Sequence, residues 1–198
     1  MPDCSSIQKS LAWCQGRQQF AGMRRRLYFI DKKNIMLWPK LPRDSNGRPL
    51  GAAYNGVFVL ATDTEWQYID ILPERSQLTS DPQGEYPAQM QLNKLVAVHP
   101  GVGEEATEFA ALVNAADCVF IVEDMQGNLR VVGHEHYPVK VTVAQDEGQW
   151  AGSAPSTIIT VEAADDVPAP VYGGIFVVEG REIVMTPAAT TPSSFTQL

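Results

Sequence analysis

Short apolar runs separated by turn-forming residues make up most of this chain from residue 26 onward. Runs rich in Val, Ile, Phe and Tyr that end at Gly, Pro, Asn or Asp are typical of β-strands. Residues 39–56 and 73–84 carry Pro and Gly instead and are predicted as loops. The predicted strands, about eight to ten in number, are residues 26–30, 56–61, 65–72, 86–98, 117–123, 128–132, 139–143, 156–161, 174–178 and 182–185, and residues 35–38 are a further short apolar element.

One segment has a helical rather than a strand period. Ala106, Phe109 and Val113 recur at the spacing of one helix face. Glu104 lies near the start of this segment, where the helix dipole favours negative charge. The pattern therefore predicts a single helix at about residues 103–116, flanking a mainly β (α+β) fold that is a β-sandwich or a partly open barrel.

The remaining segments suggest how the chain is organised. Residues 1–22 are polar with scattered apolar positions and are predicted as an extended N-terminal arm or a short helix. Residues 23–186 are predicted as one β-rich domain, within which residues 164–174 form a Pro-rich acidic linker. The Thr-, Ser- and Pro-rich residues 187–198 are expected to form a flexible tail. The predicted loop 39–56 is long for a compact domain, and loops of this length are usually functional or disordered.

Composition narrows the class of protein. A chain of 198 residues with 44% hydrophobic residues can bury the core of one domain. The three cysteines lack a CxxC spacing, so a disulfide framework is not expected and a reducing compartment is the simpler interpretation. Cys118 lies in an apolar run and is predicted to be a core residue. We expect no secretion signal and no membrane span, because no apolar run is long enough.

Charge is divided unevenly along the chain. Residues 1–50 hold ten basic and three acidic residues, a net of +7, whereas residues 51–198 hold five basic and twenty acidic residues, a net of −15. Surfaces of opposite sign would let identical subunits dock head to tail. The net acidity also argues against a general nucleic-acid binder. The predicted contact residues are Arg24, Arg25, Arg26, Lys32, Lys33, Lys40, Arg43 and Arg48.

Candidate catalytic chemistry is sparse. His134 and His136 form an H-x-H pair that would share a strand face and could bind a metal, with His99 as a third ligand. The pair lies between Gly133 and Pro138, however, so solvated or locally hydrogen-bonded histidines in a loop are the preferred interpretation. No G-x-S-x-G motif is present. We therefore expect neither an enzyme nor a bound cofactor.

A second hypothesis is a small β-sandwich module that binds a sugar or a protein. It would use exposed aromatic residues on the loops, with Trp38, Tyr54, Trp66 and Trp150 as candidates. The alternative for these residues is packing in the core or at a sheet edge, as is common for aromatic residues in β proteins.

The order of turns and strands between Phe109 and Val161 resembles that of the tail-tube and related structural proteins of bacteriophages, particularly phages and prophages of Bacteroides-like bacteria. The opening of the chain is similar to that group too. The motifs are a helix, the strand at 119–122, Asp124-x-x-Gly127, Gly133, Asp146-x-Gly148 and the strand at 156–161, with residues 20–31, Ile35 and Trp38-Pro39 at the opening.

This resemblance implies a specific assembly. Tail-tube subunits are β-sandwiches with one flanking helix, and they form hexameric rings whose loops and arms bridge to the next ring. The basic residues of 17–48 would then lie in the bridging arm and loop, and acidic residues would line a lumen through which DNA passes as cargo. The implied partners are copies of the chain and other phage tail proteins, in the virion or in the bacterial cytoplasm during assembly. A tail-completion or capsid-decorating role stays open.

Overall fold

The computed structural model describes residues 19–114, 116–150 and 152–184. Most of the predicted arm, the predicted tail, Cys4 and Cys14 lie outside these residues. Short 3-10 helices occupy Lys32–Asn34 and Pro73–Arg75. The other elements are β1 (Met23–Asp31), β2 (Ile35–Leu37), β3 (Ala53–Tyr54), β4 (Val59–Leu60), β5 (Gln67–Asp70), β6 (Gln77–Gln83), β7 (Met90–Pro100), α1 (Glu104–Val113), β8 (Cys118–Asp124), β9 (Leu129–Val132), β10 (Val139–Asp146), β11 (Ser156–Asp165), β12 (Val171–Tyr172), β13 (Ile175–Val178) and β14 (Arg181–Val184).

The strands form four sheets, none of which closes into a barrel. The largest has the order β3-β12-β9-β8-β1-β5, and the second has the order β10-β11-β7-β6. Two small sheets pair β13 with β14 and β2 with β4. Only the β3–β12 pair is parallel among these strands. The predicted mainly β fold with one helix is confirmed, since strands hold 49% of the described residues and helices 10%.

The two large sheets pack face to face around an inter-sheet core. Alternate residues of β1 and β8 point into it, because successive side chains of a strand face opposite sides of the sheet. Residues from β7, β10 and β11 close the core from the other sheet. Its members include Leu27, Leu95, Cys118, Phe120, Ile159 and Val161, all of which are buried.

A second core covers the opposite face of the six-stranded sheet. Tyr28 and Ile121 point into it from β1 and β8. Phe58 lies among four other aromatic rings of this core, at centroid distances of 5.1 to 6.4 Å. These four rings belong to Trp38, Tyr54, Trp66 and Tyr172. The second core is closed by the segment around residues 35–60 and by the final hairpin β13–β14.

Several local predictions are confirmed. α1 spans ten residues within the predicted helix, and β8 and β9 form the predicted hairpin. The β13–β14 turn places Glu179 and Gly180 at φ values of 49° and 71°, the positive angles that suit a tight hairpin turn. Cys118 is buried in the core as predicted, and burial raises the pKa of its thiol to about 11.

The prediction of a loop at residues 73–84 is wrong, because β6 occupies most of it. β6 is the edge strand of the four-stranded sheet and pairs with β7 on one side only. An edge strand tolerates Pro82 because a residue without an N–H costs nothing on the unpaired side. The strand predicted at residues 56–61 is also reduced to the two residues of β4.

The loop predicted at residues 39–56 is mostly irregular, yet it is tied to the fold. Isolated bridges join Lys40 to Asn55 and Arg43 to Pro49, and β3 pairs with β12. Leu41 is buried. In the same way, the predicted linker at 164–174 packs against the domain.

The other edge of the four-stranded sheet is protected by side chains. The N–H groups of Val139 and Val143 on β10 donate to Asp117 Oδ1 at 2.9 Å and to Asn114 Oδ1 at 3.0 Å. Both acceptors lie in the connection between α1 and β8. Satisfying these groups blocks part of an edge on which another strand could otherwise add.

Within the described ranges, no helix is long and apolar enough to cross a membrane.

The side chain of Asn93 links the segment after β11 to the four-stranded sheet through hydrogen bonds. Its side chain is fully buried; Nδ2 donates to the Val167 carbonyl at 3.3 Å, and Oδ1 accepts from the Ala169 N–H at 2.9 Å and from Ser80 Oγ at 2.6 Å. Buried amides of this kind stabilise a fold because backbone groups that lose their partner pay a desolvation cost.

We predict that Asn93→Ala lowers the free energy of unfolding by about 2–4 kcal/mol, because it leaves buried backbone groups without partners. Urea denaturation followed by circular dichroism measures the loss. Gln91→Ala on the same strand is the control and should change stability by no more than about 0.5 kcal/mol. Equal losses in the two variants would show that the hydrogen bonds of Asn93 are not the cause.

Candidate functional site

Most of the predicted basic contact residues form ion pairs within the chain. Of the eight candidates, Arg25 and Arg48 make no ion pair with the described residues, and both are exposed. The pairs are Arg24–Glu123 at 3.0 Å, Arg26–Asp70 at 3.3 Å, Lys32–Asp117 at 3.4 Å, Lys33–Asp31 and Lys40–Glu135 at 2.6 Å each, and Arg43–Asp166.

These pairs change what the charge division along the sequence means in space. Exposed ion pairs add little stability, on the order of 0–1 kcal/mol each. They do, however, cancel most of the field that each partner would project toward another molecule. Basic and acidic residues are therefore mixed over this part of the exterior, so these eight residues do not form a continuous positive surface. Lys9 and Arg17 lie outside the described residues.

The histidines do not assemble into the suggested metal site. His134 and His136 lie in an irregular segment between β9 and β10, where the His136 N–H donates to His134 Nδ1 at 3.0 Å. His99 lies on β7 in a different groove, with Nδ1 at 2.7 Å from the Asp70 carbonyl oxygen. Across the described ranges, no three His, Cys, Asp or Glu side chains are placed to hold a metal ion.

Three of the four aromatic residues suggested as exposed binding residues are instead buried. Trp38, Tyr54 and Trp66 all belong to the second core. Only Trp150 is exposed, at 74%. The expectation of an exposed aromatic surface is thus wrong for three of its members, because the sequence pattern did not reveal that a second core covers the far face of the sheet.

A cavity of about 130 Å³ opens beside two of these aromatic residues. Its wall comes from three separate segments, which are residues 38–43, Tyr54 on β3 and residues 134–136. The bridge between Lys40 and Asn55 holds the first two segments together, and the Lys40–Glu135 ion pair joins the first to the third. The cavity therefore depends on the folded loop and not on any single strand.

Three side chains in the cavity wall are more than nine-tenths buried and polar. Exposure is 7% for Trp38, 9% for Tyr54 and 8% for His134. The indole N–H, the phenol hydroxyl and the Nε2 atom of these residues form no hydrogen bond with the described part of the chain. None of the three atoms is fully enclosed, so each retains accessible surface.

The protonation of the cavity wall follows from its burial. Burial lowers the pKa of His134, which keeps its ring neutral at pH 7. Because Nδ1 accepts a hydrogen bond, the single proton of the neutral ring lies on Nε2. Burial, followed by the nearby carboxylates of Asp165 and Asp166, raises the pKa of Tyr54, so its hydroxyl stays protonated as well.

Asp165 is a buried carboxylate that sequence patterns did not single out. It is fully buried at the end of β11, where Oδ1 accepts from the Asp166 N–H at 2.7 Å and from the Val167 N–H at 3.4 Å. Oδ2 has no partner among the described residues. Burial raises the pKa of Asp165 from 3.8 to about 6. Nothing in the sequence distinguishes Asp165 from an exposed acidic residue in a Pro-rich turn.

No family model matches this chain, and neither does any curated protein or solved structure. The fold and the cavity must therefore be interpreted from their own residues.

We predict that Asp165→Asn stabilises the protein at pH 8 and has little effect near pH 4. The folded state holds the Asp165 proton more tightly than the unfolded state, so this group contributes stability below about pH 4 that is lost as the pH rises through about 6. A neutral amide avoids that loss, which amounts to about 1–3 kcal/mol.

Urea denaturation of both proteins from pH 4 to pH 8 tests this pH dependence. Asp146→Asn, at the exposed end of β10, is the matched control, because the same pH-dependent gain in both variants would show that the burial of Asp165 is not the cause. A gain for Asp165→Asn that is the same at every pH would contradict the explanation.

Proposed function

We propose that this chain is a non-catalytic structural protein that assembles with copies of itself, as a subunit of a phage tail tube built from stacked rings. Its partners would be identical subunits and other tail proteins, with DNA as passing cargo inside the virion. What supports this proposal is the β-rich fold with one flanking helix, which agrees with the expectation from the resemblance, and a set of exposed apolar residues on the two small sheets.

Four of the exposed apolar residues on the two small sheets form two cross-strand pairs. Leu37 lies opposite Val59 in the β2–β4 sheet, and Ile175 lies opposite Val184 in the β13–β14 sheet. Their exposed fractions are between 43% and 57%. Other residues of the same two sheets, such as Ile35 and Phe176, pack in the second core, whereas these four residues, which we call the outer apolar pairs, are exposed. Each pair places two exposed apolar side chains side by side, and exposed apolar surface that is not scattered singly is typical of sites of protein association.

The outer apolar pairs support self-assembly better than the basic residues do. Six of the eight basic candidates are engaged in ion pairs within their own subunit. Breaking these pairs to remake them between subunits would gain little, whereas burying apolar surface gains about 25 cal/mol per Å². Assembly through apolar contacts also differs in its response to salt, since salt screens charges but leaves the hydrophobic effect intact.

An acidic surface supports passage of DNA. Glu104, Glu105 and Glu108 lie exposed on the first two turns of α1, and no ion pair engages them within the described residues. Asp146 and Glu147 are exposed at the end of β10, which contacts α1. Carboxylates at this density repel phosphates, and a lumen lined by them would let DNA slide without adhering.

We predict that the purified chain forms oligomers at high concentration in both about 50 mM and about 500 mM salt, because apolar contacts are not screened. Sedimentation velocity measures the association, and negative-stain images of the same samples reveal whether rings form. Monomers alone under both conditions would overturn the proposal. Oligomers that dissociate at the higher salt would instead indicate that the subunits associate through charged residues.

We further predict that the double variant Leu37→Ser/Ile175→Ser weakens this association at least about tenfold, because each change removes apolar area from the contact. Leu112→Ser is the control, since Leu112 is an apolar residue that is 65% exposed on α1, outside the two small sheets. It should associate like the unmodified chain. If both variants associate equally well, the outer apolar pairs are not the contact.

A further inference from the structure

We propose that the cavity bounded by residues 38–43, Tyr54 and residues 134–136 binds a single neutral sugar unit. The observation that carries this inference is that three buried side chains lining the cavity have hydrogen-bonding atoms without a partner in the described part of the chain. Such atoms are costly in a folded protein unless water or a ligand satisfies them. The site does not require the chain to associate with itself.

The unpaired polar atoms of the residues that line the cavity are mainly donors. The indole N–H of Trp38, the hydroxyl of Tyr54 and the Nε2–H of His134 each lack an acceptor in the described part of the chain. A ligand that suits them presents several oxygen atoms close together. Sugar hydroxyls satisfy this requirement because each accepts and donates, and Glu135, which also lines the cavity, offers carboxylate oxygens to the hydroxyl protons.

The charges around the cavity favour a neutral ligand over an anion. The two cations in its wall, Lys40 and Arg43, are already paired with Glu135 and Asp166. Asp165 adds a further carboxylate close enough to raise the pKa of Tyr54. A phosphate or carboxylate group would therefore meet no net positive field beside the Tyr54 hydroxyl, whereas a neutral polyol pays no such penalty.

The size and the surface of the cavity agree with a single sugar ring. Its volume of about 130 Å³ is several times what one ordered water needs. Trp38, Leu41 and Pro39 add apolar surface on which the C–H groups of a sugar can pack. Pockets that combine apolar walls with a few convergent polar groups are typical of small-molecule sites.

Titration of the ¹⁵N-labelled full-length chain with monosaccharides tests the site. The probes are methyl glucoside, methyl galactoside, methyl mannoside and N-acetylglucosamine, each up to about 100 mM, a range that covers weak millimolar binding. We expect at least one to move the Trp38 indole N–H and the His134 ring signals in a saturable manner, with the Trp38 signal assigned from Trp38→Phe. Sodium acetate and sodium phosphate at matched ionic strength are the anionic alternatives.

Tyr54→Phe removes one donor and keeps the ring that packs on Phe58. It should weaken the sugar about 3- to 10-fold with an otherwise unchanged spectrum. Tyr86→Phe is the control, because Tyr86 is 89% exposed and lies outside the cavity, and it should bind like the unmodified chain. Saturation by acetate or phosphate but by no sugar, no saturable shift with any probe, or equal affinity in both variants would each overturn the proposal.

Discussion

The six-stranded sheet is apolar on both faces, and this constraint determines how the rest of the chain is used. In β8, five consecutive residues beginning with Cys118 are buried, so the strand cannot leave either face in water. The four-stranded sheet covers one face through the inter-sheet core. A sandwich of two sheets would leave Tyr28 and Ile121 exposed, at a cost of about 1.5–3 kcal/mol for each large apolar side chain. A second cover is therefore required, and the second core supplies it.

That second cover is built from short and irregular segments, which explains where both proposed functions lie. The short strands β2, β4, β13 and β14 each contribute residues to the second core and leave others in water, so the outer apolar pairs follow from the covering role. Irregular segments also pack less continuously than sheets. The cavity lies where residues 38–43 meet the segment before β10, and two of the residues that line it, Trp38 and Tyr54, also belong to the second core.

The fold was predictable wherever local pattern and burial agree. The helical spacing in α1, the apolar run of β8 and the Gly-containing turns were sufficient, because each encodes its own geometry. β6 was missed because Pro82 suggests a loop unless the strand is known to be an edge. The cavity could not be predicted at all. Its wall joins residues about 80 to 100 positions apart, and no pattern in the sequence indicates that Tyr54 and His134 line the same cavity.

The charges that are divided along the sequence become mixed in the folded chain, and this is the clearest difference between the sequence pattern and the structure. The acidic partners of Lys40 and Arg43 are 95 and 123 positions away, so a basic segment and an acidic body become neighbours when the chain folds. Folding favours this outcome because opposite charges lower each other's energy wherever the topology brings them close. A charge division persists in space only when the basic segment remains apart from the body. Within the described residues the segment is anchored by β1 and by the buried Trp38 and Leu41, and apolar contact is then the stronger basis for assembly.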